Sequence, residues 1–140
     1  MTAAVPHEGA LDFIRHNGRA VLATRRRDGT PQLSPVLAVV DDDDRVVIST
    51  RETAIKTANL RRHPHASICV ISEGFFGEWH TVDGQVEIVS LPEAMDLLVD
   101  YYRRAVGEHA DWDDYRAAME RDHRVVLRLT VERSGPTVQG

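Results

Sequence analysis

Cysteine occurs once in the 140 residues, at position 69, so no intrachain disulfide can staple the fold and stability must come from a hydrophobic core. Cys69 lies inside the apolar run ASICVIS and reads as a small core residue buried in a strand. Lysine is as scarce: of 17 basic residues only Lys56 is a lysine, and the others are arginine. No apolar run approaches the roughly 20 residues that a membrane-crossing helix needs, so no membrane segment is expected. The opening MTAAVPHEGALDFIRHNG has no basic region leading into an apolar stretch, which gives no secretory signal and makes a cytoplasmic location the expectation. A formal net charge of -5 disfavours a general nucleic-acid binder, because such proteins ordinarily present a basic domain.

Several chemical signatures are missing as well. There is no G-x-x-x-x-G-K-[ST], G-x-G-x-x-G or G-x-S-x-G, which removes the phosphate loop, the Rossmann fingerprint and the nucleophile elbow. His63 and His65 stand on either side of a proline without further ligands, and the four consecutive aspartates 41–44 cannot converge on one ion. No metal is expected.

What is present reads as one domain of 140 residues. Leu11 and Ile14 share a face of a short helix over 8–16, which Asn17-Gly18 would end with left-handed residues. RAVLATRRR and PQLSPVLAVV flank Asp28-Gly29 as a hairpin, and RVVISTR follows the acidic turn as a third strand. Residues 53–62 read as a helix stopped before Pro64. HASICVIS and WHTVDGQVEIV are the next two strands, the second with a bulge at Gly84. Ser90 and Glu93 have the spacing of a capping box, with Pro92 in the first turn of the helix it opens. That helix carries an apolar stripe from Ala94 to Ala105 and ends at Gly107. A further helix opens at Asp111, and RVVLRLTVE closes the chain as a strand. Strands and helices do not alternate regularly, so the fold class is α+β, mainly β: a six-stranded antiparallel barrel with peripheral helices. Such a barrel offers a shallow cleft, which a second subunit would complete.

Charge patterning offers one candidate site. Ser49, Thr50, Arg51 and Lys56 join a strand end to a helix start, where free N–H groups, hydroxyls and an ammonium suit a phosphate. An ordinary helix start with surface cations has the same composition. Arg25, Arg26 and Arg27 crowd a hairpin tip, either as a solvated turn or as an anion contact. Glu78 and His80 share a strand face, with Trp79 on the other; they could form an acid–base pair, but two polar residues on an outer strand face are more commonly just solvated. No side chain stands out as catalytic.

Three segments, AVLATRRRDGTPQLSPV, IKTANLRRHPHASI and GEHADWDDYRAAMERDHRVVLRL, resemble the split β-barrel, pyridoxamine 5'-phosphate oxidase-like proteins. The likeness is greatest to the actinobacterial branch that depends on the deazaflavin coenzyme F420. The resemblance implies a homodimeric split barrel and a reductase that passes hydride from reduced F420 to a small, conjugated acceptor. Gln32, Leu33, Ser34, Pro35 and Val36 would then run beside the tricyclic ring. Ser49, Thr50 and Lys56 would take the phosphate, with Arg51 assisting, because position 54, an arginine in many relatives, is alanine here. Trp79 would face the cofactor from the partner subunit, and Arg25–Arg27 would meet the polyglutamate tail. Two alternatives share the fold: an FMN protein of the pyridoxamine phosphate oxidase type, and a cofactor- or haem-binding module without turnover. The ending ERSGPTVQG lacks a substrate-gripping arginine motif, which weighs against the vitamin oxidase.

Overall fold

The computed structural model describes residues 6–135, so the N-terminal signal reading and the end of ERSGPTVQG lie partly outside the described residues. Four helices and seven strands occur in the order α1 (Glu8–His16), β1 (Arg19–Arg25), β2 (Pro31–Leu37), β3 (Val39–Val40), β4 (Val46–Arg51), α2 (Ile55–Arg62), β5 (His65–Ile71), β6 (Trp79–Val89), α3 (Ala94–Ala105), α4 (Trp112–Arg121) and β7 (Arg124–Gly135).

All pairings are antiparallel, and the strands form one sheet in the order β2-β1-β5-β6-β7-β4-β3. β2 and β3 stand at its opposite ends although only Ala38 separates them in the chain. The sheet must therefore curl until its two edges meet, giving a split-barrel-like fold. This corrects the expected count of six strands. PQLSPVLAVV reads as one strand but changes partner at Ala38, pairing first with β1 and then with β4.

Alternation explains the core. Ala20 and Leu22 of β1, Val46 and Ile48 of β4, Ala66, Ile68 and Val70 of β5, and Val125, Leu127 and Leu129 of β7 fill the inside of the curl. Leu11 and Ile14 of α1 and Leu60 of α2 join them, each about 1 % exposed. Burying one such side chain fully is worth about 1.5–3 kcal/mol. A second cluster lies outside the curl, where Ala94, Leu98 and Val99 of α3 and Tyr115 of α4 pack on Val39, Val47 and Val126. The Tyr115 hydroxyl donates to the Leu98 carbonyl at 2.7 Å and ties α4 to α3.

Local signals hold in most places. Asp28 accepts from the Thr30 N–H at 3.0 Å and from its hydroxyl at 2.6 Å, while Gly29 supplies φ 90° at the hairpin tip. The acidic turn is a surface turn in which Asp41 accepts from the backbone N–H groups of Asp43 and Arg45. The β6 bulge falls at Asp83/Gly84.

Three local expectations are corrected. Asn17 is extended, with φ -140°, not left-handed, and Gly18 is needed for space, since a Cβ there would stand 2.7 Å from the Ala38 carbonyl oxygen. The capping box does not form. α3 starts at Ala94 with Glu93 as its N-cap, and the Ser90 hydroxyl turns instead to Glu52 and Arg61. Cys69 is half-buried on the outer face of β5 and not in the core, with burial pushing its thiol pKa up.

Candidate cofactor site

β3 and β4 are paired at Val39–Val47, but beyond that point the chain leaves β4 and crosses to β1. A fork opens between β2 and β4. Tyr101 of α3 sits in its neck, where its hydroxyl donates to the Leu37 carbonyl at 2.8 Å and its oxygen lies against the Ser49 backbone N–H. Burial raises the Tyr101 pKa, so the phenol stays protonated and able to donate.

One side of the fork is the segment expected beside the ring. Its side chains alternate: Gln32, Ser34 and Val36 are half-buried on the core side, whereas Leu33 and Pro35 are exposed on the other. All five therefore cannot present side chains to one ring face. Gln32 is held by the Thr24 hydroxyl at 3.3 Å, Thr24 by the Asn59 amide at 3.1 Å, and Asn59 by Arg62 at 2.7 Å. This polar chain fixes β2 to α2. The Ser34 hydroxyl oxygen, on the core side of β2, is buried without a hydrogen-bond partner.

The other side is the strand-to-helix junction. Ser49 and Arg51 face outward, but Thr50 points into the curl and is 5 % exposed. Adjacent strand residues face opposite ways, so the Ser49 and Thr50 side chains lie on different faces of β4. The junction is shaped by the Thr57 hydroxyl, which donates to the Arg51 carbonyl at 2.7 Å, and no side chain caps the start of α2. Lys56 lies in its first turn, its pKa lowered by burial and secondarily by the guanidinium of Arg124. Arg124, the first residue of β7, is directly across from Arg51 in the β4–β7 ladder.

The sequence offered no reason to single out Arg124 or Tyr101. Both become visible only through the pairing of β7 with β4 and the packing of α3 over it. An Arg opening an apolar strand, two residues after the acidic Asp122, is the sole local hint.

Trp79 opens β6 and is 42 % exposed. β1 and β5 stand between β6 and β2, so three strand spacings, roughly 14 Å, separate Trp79 from the ring segment of its own chain. Leu33 (61 % exposed) and Leu37 (39 %) lie on the same uncovered stretch of sheet. Glu78 and His80 are joined, Oε1 to Nε2, at 3.0 Å. Arg25, Arg26 and Arg27 are all exposed at the hairpin tip. A cleft of about 310 Å³ touches Arg124, lined also by Glu52, Ser90, Leu91, His123 and Val125. It lies beside the junction and does not include β2.

A family model described as pyridoxamine 5'-phosphate oxidase matches residues 7–136. The chain belongs to that family. Solved structures agree on the fold. A conserved hypothetical protein, Rv2991, from Mycobacterium tuberculosis superposes with a TM-score of 0.75 at 24 % identity, over 98 % of this chain and 94 % of that one. A protein named F420 reductase gives 0.69 at 21 %, over 95 % and 98 % of the two chains. An FMN-binding protein related to pyridoxamine 5'-phosphate oxidase, from Nostoc punctiforme, gives 0.67 at 15 %, over 94 % and 83 %. These likenesses show a shared fold, and no helix among the described residues is long and apolar enough to cross a membrane.

Proposed function

We propose that this protein binds coenzyme F420 in the fork between β2 and β4 and acts as a reductase of small, conjugated organic acceptors. The observation that carries this reading is the junction of β4 and α2. It presents outward Ser49, Arg51 and Lys56 next to a strand edge, β2, whose inner face holds an unpartnered Ser34 hydroxyl. A phosphate-bearing ligand with a flat polar ring fits both ends. Lys56 and Arg51 would hold the phosphate with charge-assisted hydrogen bonds, and Ser49 with the start of α2 would add donors. Gln32, Ser34 and Val36 would line the ring from one face, and Pro35, lacking an N–H, leaves that edge fewer bonds. When bound, reduced F420 supplies a hydride, and the chain's own part is positioning and electrostatics. No side chain is assigned as the proton donor to the acceptor, and solvent is the proposed source of the proton. Arg25–Arg27 would meet the polyglutamate tail, each exposed contact worth about 0–1 kcal/mol.

The site is shared between two copies in this reading. Trp79 is too distant to touch the ring of its own chain, and the exposed Leu33, Leu37 and Trp79 mark an uncovered sheet face suited to a second subunit. A protein that sediments as a monomer at micromolar concentration, yet binds cofactor normally, overturns this arrangement.

The FMN-binding relative keeps a second reading open to test: FMN carries its phosphate at the same distance class from its ring, and the same cations would receive it. Turnover is tested by mixing reduced F420 with a panel of quinones and enones and following the return of the oxidised deazaflavin's visible absorbance. Oxidation above the protein-free rate with at least one acceptor is expected, and no acceleration with any would contradict the reductase assignment.

A further inference from the structure

Arg51 and Arg124 face each other directly across the β4–β7 ladder, on its outer face. Residues so paired have Cβ atoms about 4.5–5.5 Å apart, and like charges in that position destabilise a sheet. Lys56 adds a third cation, close enough to Arg124 for the guanidinium to disfavour the charge of the ammonium. Among the described residues the arginine pair forms ion pairs with Asp122 alone, whose Oδ2 stands 3.9 Å from Arg51 and 3.8 Å from Arg124. Neither distance is a hydrogen bond. Two arginines therefore share one loosely held carboxylate, with the Lys56 ammonium near Arg124. The Arg124 Nε is moreover buried without a hydrogen-bond partner, a cost that structures rarely leave unanswered. The Ser49 backbone N–H and the Tyr101 phenol border the same spot, and Tyr101 feels the Arg124 charge as well.

We infer that Arg124 is a phosphate ligand of the cofactor, closing on the same anion as Lys56 and Arg51. This rests on the proposed cofactor reading and assigns a residue to it that no local motif marks. A phosphate between the facing arginines converts their repulsion into two attractions and gives the buried Nε an acceptor. A planar guanidinium can offer two parallel N–H groups to phosphate oxygens, whereas the ammonium of Lys56 acts as a point charge. The division of labour follows: Lys56 contributes charge, and Arg124 contributes orientation as well as charge.

The test compares binding of four probes to the parent, Arg124→Gln and Arg124→Lys proteins by fluorescence titration: F420, FMN, and the phosphate-free ribityl forms of the deazaflavin and the flavin. Arg124→Gln should weaken whichever phosphate-bearing cofactor the parent binds by about tenfold to a hundredfold, and change its phosphate-free counterpart less than about twofold. Arg124→Lys should recover only part of the loss, because it restores charge without the fork. Thermal midpoints give an independent readout. Free of ligand, Arg124→Gln should melt at or above the parent temperature, since a like-charge pair has been relieved, but it should gain less from added cofactor. Equal weakening of phosphate-bearing and phosphate-free probes, or none, would overturn the inference while leaving the cofactor reading intact. A ligand-free variant that melts well below the parent would make Arg124 a packing residue and overturn it too. If the parent binds neither F420 nor FMN, the cofactor reading itself fails, and the inference with it.

Discussion

The hydroxyl of Tyr101 donates to the carbonyl of Leu37 at 2.8 Å, and the Ser49 N–H lies against the same oxygen. A side chain from α3 thus takes the place of a ladder bond at the point where β2 parts from β4. Tyr101→Phe removes this link and should cost about 0.5–1.5 kcal/mol, read as a lower urea midpoint with an unchanged slope. It should also weaken cofactor binding, since the fork's neck sets the separation of ring and phosphate segments. Unchanged stability and affinity would make Tyr101 a bystander.

Lys56 is the other test of the phosphate end. Lys56→Ala removes a charge-assisted bond, about 1.5–3 kcal/mol, or roughly tenfold to a hundredfold in affinity, and Lys56→Arg should restore part of it. The loss should shrink as salt rises. The pKa of this ammonium is already below the usual 10.5 because of burial and Arg124. As pH climbs past that lowered value, the free protein must take up a proton to bind phosphate, so affinity should begin to fall below pH 10.5. Titrations across pH 7–11 check this, and an affinity flat through that range contradicts it.

Gly84 sits at the β6 bulge, where a Cβ would stand 1.8 Å from the Thr130 carbonyl oxygen and 2.8 Å from its carbon. Both are backbone atoms of the paired strand, which cannot move aside as a side chain would. Gly84→Ala should cost more than about 4 kcal/mol, the exceptional end of single substitutions, and appear as loss of soluble folded protein. A variant within about 1 kcal/mol of the parent in urea melts would show that the bulge tolerates a Cβ.

Much of this architecture is legible in the sequence where a local signal and its tertiary setting agree. α1 runs over the nine residues its apolar spacing marks, and β6 spans the whole alternating segment Trp79–Val89 with its bulge at the glycine. The hairpin turn follows from Asp28-Gly29. What escaped reading depends on partners distant in the chain. Nothing local tells that Ala38 divides one apolar run between β1 and β4. Ser90 matches a cap motif but meets Glu52 from the turn after β4 and Arg61 of α2. Ser49 and Thr50 are adjacent hydroxyls in sequence, and the pleat sends them to opposite faces. Arg124 faces Arg51 only because the closing strand pairs with β4.

The Tyr115 phenol, buried and bonded to Leu98, has its pKa raised from 10 to about 12 by desolvation first and the neighbouring tyrosines after it. A proton held more tightly in the folded state stabilises fully below pH 10, and that stability is lost as pH rises from 10 to about 12. The parent should therefore lose stability across that window, and Tyr115→Phe, which cannot ionise, should show a shallower alkaline limb. Thermal midpoints at pH 9 to 12 decide it: parallel curves for parent and variant would mean that Tyr115 is not the group that titrates.

The central claim is the identity of the cofactor, and parallel titration of the purified, ligand-free protein with F420, FMN and haem tests it most directly. The arginines at the hairpin tip and the resemblance of the C-terminal segment to the deazaflavin branch together predict tighter binding of F420 than of FMN, with haem weakest. FMN bound about tenfold more tightly than F420, a difference of about 1.4 kcal/mol, would contradict the account and make this an FMN protein of the same fold.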